Sequence, residues 1–334
     1  MNNNHLSSEQ IQSNHTTFSL DNLTFSLKLD VKAIAFIILF IALIALSCSP
    51  IFTKLSEIEI SPNTTIFNRL WIATFILSFY PNIDTSSTLN NTPQIIGRST
   101  YKYKQKGLLM LASLAATASA LCWAWSFTQT SVASSTVLRS LTPLFISTMA
   151  WLVFKQRCDR QFFIGMMLAM VGGITIGWDD FQLGKKYLIG DAIALVSAVL
   201  HGVNLLLAGH LREELDTTTI LRWRCGFGAL TIFPFVWLTE KHLFPYSWEG
   251  WLVIISLAVV CQLFGQGLLV YSLKQFTSSF VAIFMLLKPI VSALFAWVIF
   301  AESLSLFNAM ALVLILVGIY LAKSSNSAEK PTSV

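Results

Sequence analysis

Residues Ser126 to Gly172 return as Ser272 to Gly318, at a constant offset and without a gap. Gln129 falls on Gln275, Pro143 on Pro289, Trp151 on Trp297, Phe154 on Phe300 and Gly172 on Gly318. Two copies of one unit require two copies of one fold. Inside an apolar chain, paired repeats are the sequence mark of a protein that works around a central site between them.

Charged residues make up only 12% of the 334 and hydrophobic residues 54%, where a soluble domain carries about 25% charge. The apolar residues gather in ten segments: roughly 31–53, 64–81, 107–127, 132–154, 160–178, 188–209, 219–238, 250–272, 278–300 and 305–322. Each approaches the roughly 20 residues that cross a bilayer as a helix. The expected fold is an all-α integral membrane protein of ten transmembrane helices. Five spans per half is an odd number, so the second half enters the membrane in the opposite sense, as a 5+5 inverted-topology repeat.

The division along the chain follows. Residues 1–30 are polar, rich in Asn, Ser and Thr, and expected as a disordered tail. Residues 31–178 form the first repeat, 179–187 a hinge linker, 188–322 the second repeat and 323–334 a cytoplasmic tail. Spans one and two match six and seven more loosely, with Arg69 near Arg224. The longest internal loop, about 82–105, is polar.

The net charge of +5 is no nucleic-acid footprint, because the basic residues flank the spans. Lys28, Lys32, Arg98, Lys102, Lys104, Lys106, Lys155, Arg157, Arg160, Arg212, Lys274 and Lys323 fall on one side. The excess puts both termini in the cytoplasm. The short loops and the lack of a targeting peptide suit a bacterial plasma membrane. The five cysteines form no C-x-x-C pair and no cluster with His, so core packing is their expected use. No metal and no cofactor is indicated. Ala112, Ala116, Ala120 and Ala124, and Gly173 with Gly177, are small-residue stripes. They serve packing within the chain or a homodimer.

The repeated pattern reads TSVASSTVLRSLTPLFISTMAWLVFKQR in the first copy and FTSSFVAIFMLLKPIVSALFAWVIFAESLS in the second. It resembles the paired EamA domains of the drug/metabolite transporter superfamily, over about residues 31 to 322. That resemblance implies a substrate path between the two halves. It also implies an acidic residue closing the motif. Glu302 fits in the second copy, whereas Gln156 stands there in the first. Members of that superfamily carry amino acids, amines, nucleotide sugars, sugar phosphates or nucleobases, so the resemblance does not name a cargo.

Only two charges lie deep in the expected spans, Arg139 and Lys288. Lys288 is ten residues past the start of its segment, about 15 Å, near the midplane. Arg139 is about 10 Å from the outer end of its own. A cation at the centre of a lone helix costs roughly 2.5–3.5 kcal/mol, and Asp191, Glu240 and Glu302 all sit near span ends. Arg139 lies over Met285 and Lys288 over Thr142, three residues on, so each repeat presents a cation on the corresponding face. Pro143 and Pro289 follow directly, each kinking its helix and leaving a carbonyl free. A wet cavity and an anionic or zwitterionic solute would account for both cations. Snorkelling to the headgroups is the alternative for Arg139.

Other residues could line a path. His201 and Asn204 share a helical face mid-span, for pore lining or interhelical hydrogen bonds. Trp123, Trp125 and Tyr271 could wall a cavity or anchor at the interface. Gln129 and Gln275 could line an entrance or bond loop backbone. No Asp or Glu occupies the middle of any span, which favours exchange or facilitated movement over tight proton coupling. An intramembrane enzyme would need a paired Asp, a Ser–His set or a metal cluster at one depth, and none is found. Partners are therefore a small-molecule solute and the lipid bilayer.

Overall fold

The computed structural model describes residues 31–79, 103–130, 135, 138–155, 159–176, 188–240, 242–300 and 306–328. The amino-terminal tail, most of the 82–105 loop, the 179–187 linker, Gln156, Cys158, Gly177 and Glu302 lie outside them. The described residues are helical almost throughout. The first half holds α1 (Val31–Ser47), α2 (Ser49–Ser56), α3 (Pro62–Phe79), α4 (Tyr103–Gln129), α5 (Thr142–Phe154) and α6 (Arg160–Ile176). The second holds α7 (Leu188–Leu211), α8 (Thr217–Thr239), α9 (Trp248–Ser256), α10 (Gln266–Ser272), α11 (Ser278–Phe284), α12 (Lys288–Phe300) and α13 (Leu306–Lys323).

Local chemistry sets the boundaries. Asp216 caps α8 by accepting from the Thr219 N–H at 3.1 Å. Partial burial opposes its charge, but the Thr218 hydroxyl and the Thr219 N–H more than offset this and hold its carboxyl below the usual range. Ser247 caps α9 through the Gly250 N–H at 2.9 Å, and Thr277 caps α11. Lys155 takes the left-handed conformation that closes α5. Between α9 and α10 the chain winds wider, as a π-helix over Leu257–Gly265. Such segments often sit at functional places.

Among the described residues, four stretches are long and apolar enough to cross a membrane: Ala33–Ser56, Tyr103–Ser126, Leu188–Leu211 and Trp248–Ser272. Shorter apolar helices lie at Thr142–Val153, Arg160–Thr175, Ser278–Ser292 and Val313–Lys323. Their outer faces carry Ile37, Phe40, Leu114, Val196, Leu252 and Val313, all exposed. Apolar surface on this scale belongs against lipid. The protein is an integral membrane protein.

The core runs between the halves, around Leu39, Leu43, Ile146, Phe162, Met166, Phe280 and Phe284. Helix contacts exchange partner for partner under the repeat. α4 packs on α7, and the 257–272 stretch packs on α1. α5 packs on α7, and α12 on α1. α3 meets α8 and α6 meets α13, each pair being its own counterpart. The α6–α13 contact is backbone on backbone. A Cβ on Gly165 would lie 2.6 Å from Ala322 N and Gly318 O, and one on Gly318 2.5 Å from Ala169 N.

Candidate functional site

The repeat places a helix break at the same point in each half. In the first, a turn at Ser140–Leu141 precedes α5; in the second, a 3-10 turn at Met285–Leu287 precedes α12. Residues 140 and 141 overlay 286 and 287. The prolines cause both breaks. Pro143 has no N–H for the Arg139 carbonyl, which accepts instead from the Thr142 hydroxyl at 2.7 Å. Pro289 likewise deprives Met285, whose carbonyl accepts the Lys288 N–H. The breaks fix the backbone of Arg139 and Lys288.

Arg139 donates from Nη1 to the Ser197 hydroxyl at 2.5 Å, and its guanidinium lies 4.9 Å from the centre of the Trp123 ring. It points into the molecule rather than toward headgroups. Lys288 anchors at its backbone, where its carbonyl accepts from Ser47 at 3.4 Å. Its ammonium has no carboxylate and no hydrogen-bond partner among the described residues. His201 lies within electrostatic reach of Arg139, Arg224 and Lys288. Asn204 is buried with Oδ1 unpartnered among the described residues.

Two further cations join them, which corrects the expectation of only two deep charges. Arg69 is seven residues into α3 and Arg224 seven into α8, about 10 Å from each helix start. Arg224 donates to Gln266 Oε1 at 2.9 Å, and Arg69 Nε is unpartnered among the described residues. Arg69 is near Arg139, Arg224 and Lys288, and Lys288 is near Arg139. All are deep in the protein, yet each keeps part of its surface accessible. The sequence did carry a signal for Arg69 and Arg224, their equal register in equivalent helices.

Like charges in a low-dielectric interior repel one another, and four such pairs link the three arginines and the lysine. Serine, glutamine and indole partners spread this charge but do not cancel it. The arrangement is suited to receive an anion.

The remaining candidates sit elsewhere. Trp125 is 57% exposed, and the ring beside Arg139 belongs to Trp123. Tyr271 faces the Arg212 guanidinium at 5.7 Å. Gln129 is exposed, next to Thr130, whose hydroxyl donates to Asp191 at 2.8 Å. Gln275 is held by its N–H to the Ser272 carbonyl at 3.0 Å. No group of three potential metal ligands occurs among the described residues.

Comparison with known proteins agrees with a role in transport. The model of a family described as EamA-like transporters matches residues 33–178 and 188–323. An uncharacterized transporter of Archaeoglobus fulgidus is 23% identical over 64% of this chain and 75% of its own length. One of Methanothermobacter thermautotrophicus is 21% identical over 64% of this chain and 63% of its own. The uncharacterized transporter YetK of Bacillus subtilis is 21% identical over 60% and 62%. A crystal structure at 16% identity superposes with a TM-score of 0.73, covering 88% of this chain and 98% of the other. That likeness is one of fold.

Proposed function

We propose a function on one premise: this chain belongs to the EamA-like transporter family, whose model matches both its halves. It is a secondary transporter of a small polar metabolite, anionic or zwitterionic, such as an amino acid or organic anion. Ten spans stand as two five-helix repeats of opposite orientation, residues 31–178 and 188–322, joined by a hinge at 179–187. Both termini face the cytoplasm of a bacterial cell. The exchange of contact partners between halves supports this arrangement.

The observation that carries the reading is the set of interior cations, Arg69, Arg139, Arg224 and Lys288, with only neutral partners among the described residues. They line the path with His201 and Asn204. The solute enters from one side, neutralises them, and the halves rock to expose it to the other. The unloaded carrier keeps its repulsion through that movement, so exchange of one solute for another is favoured over one-way flux.

Purified protein in proteoliposomes tests this with labelled amino acids, organic anions and amines. Saturable uptake of an anion or zwitterion, lost in Lys288→Ala, is the expected result. Transport restricted to amines would overturn the substrate class. Absence of flux for every solute would favour a receptor-like protein.

A further inference from the structure

We infer that the solute carries at least two negative charges, as a dicarboxylate or a phosphate monoester does; this rests on the transporter reading above and narrows it. Cations and acceptors in the interior can be counted. Arg69 and Arg139 come from the first half, Arg224 and Lys288 from the second. The hydrogen-bond and ring partners described for them are the Ser197 hydroxyl, the Gln266 amide and the Trp123 ring. None is a carboxylate.

A zwitterion brings no net charge to this site. Its carboxylate would meet a guanidinium, but its ammonium would meet the remaining cations, with no carboxylate among their described partners to receive it. The buried amide and hydroxyl groups nearby, Asn204 and Gln262 among them, cannot replace a carboxylate at a low local dielectric. A monoanion occupies one guanidinium fork and leaves the opposite half uncompensated. A dianion can engage both halves at once. Arginine forks also match the planar oxygens of carboxylate and the oxygens of phosphate bidentately, and three of the four cations are arginines. Bridging by the solute would be the event that draws the halves together.

The test uses the full chain in proteoliposomes at pH 8, preloaded with the same unlabelled solute. Five labelled probes are compared: succinate, glycerol 3-phosphate, succinamate, alanine and putrescine. Succinate and succinamate share a skeleton and differ by one charge. Entry of succinate or glycerol 3-phosphate at least tenfold faster than succinamate and alanine is expected, and which of the two enters assigns the anionic group. Arg69→Gln should narrow the succinate-to-succinamate ratio to below threefold, while Arg69→Lys keeps most of it. A second readout needs no flux. In detergent, the preferred dianion should raise the melting temperature of the wild type, and succinamate should not. Alanine or succinamate entering as fast as either dianion overturns the inference and leaves the transporter reading intact. Transport of none of the five, with no thermal stabilisation, overturns both.

Discussion

Arg139 of the first half and Ser197 of the second are joined by one hydrogen bond, Nη1 to hydroxyl at 2.5 Å. The same serine is locked to α4: its hydroxyl donates to the Ser119 carbonyl at 2.9 Å, and the Ser119 hydroxyl to its own carbonyl at 2.8 Å. Ser197 therefore both fastens two helices and aims a guanidinium. Because the two helices belong to different halves, the cation's orientation is tied to how the halves sit against each other.

The two roles separate by mutation. Ser119→Ala removes one neutral hydrogen bond and should cost about 1 kcal/mol of stability, with KM unchanged. Ser197→Ala also frees the guanidinium, and bonds to charged groups contribute about 1.5–3 kcal/mol. KM for the transported anion should then rise about tenfold or more. Melting curves and flux on both variants decide; an equal KM would leave Ser197 a helix fastener only.

Lys288 should be reachable from water. In a background without the five native cysteines, Lys288→Cys should react with a membrane-impermeant thiol reagent, and saturating solute should protect it. Lys288→Arg should keep part of the flux and Lys288→Ala less than about a tenth, the loss of a charge-assisted contact. A cysteine there that reacts only with lipid-soluble reagents would place the side chain against acyl chains.

Much of this was legible in the sequence because bilayer physics makes it so. Apolar runs fix the helices, and the repeat fixes which positions correspond, so Pro143 and Pro289 pointed to the paired breaks at Ser140–Leu141 and Met285–Leu287. His201 lies within electrostatic reach of Arg139 and Lys288. Arg69 and Arg224 lie deep because α3 starts at Pro62 and α8 at Thr217, earlier than their apolar runs, so the ends of those runs understate the depth. The choice between Trp123 and Trp125 depends on helix rotation, which local sequence on an almost uniformly apolar helix does not set. The π-helix at Leu257–Gly265 had no signal either, since hydrogen-bond slippage by one residue leaves the apolar pattern intact.

Thr142 completes the first break. Thr142→Val leaves the Arg139 carbonyl without its 2.7 Å partner, at a cost of about 1–3 kcal/mol. Pro143→Ala restores a backbone N–H for that carbonyl. The double variant should therefore be less destabilised than the sum of the singles, with a coupling of at least about 0.5 kcal/mol. Strict additivity in denaturant unfolding would mean that the hydroxyl does not serve the broken turn.

The backbone contact of α6 with α13 allows no side chain. Gly165→Val or Gly318→Val would force the two helices apart, because the obstructing atoms are backbone nitrogen and oxygen. Overpacking of this kind costs about 1–3 kcal/mol or more. Both variants should melt several degrees lower, while Gly107→Ala, with nothing within 4 Å of the added carbon, should not. Equal melting temperatures for all three would show that these helices separate freely.

Glu59, in the turn between α2 and α3, ties that turn to the start of α9. Its carboxylate accepts from the Tyr246 N–H at 3.2 Å, the Ser247 N–H at 3.3 Å and the Ser247 hydroxyl. The Ser247 hydroxyl chiefly, and the two amides, favour the charged form, so its pKa lies below the glutamate reference of 4.5 despite the opposing effect of desolvation. A depressed folded pKa gives stability that is complete above the unfolded value and lost as pH falls through the folded one. Glu240 and His242 line the same cavity. The melting temperature of Glu59→Gln should thus lie below that of wild type at pH 7. The gap should hold above the glutamate reference value and close as pH falls through the lowered folded pKa, where the wild-type carboxyl protonates. A gap that does not close on acidification would mean that shape, and not charge, makes the tie.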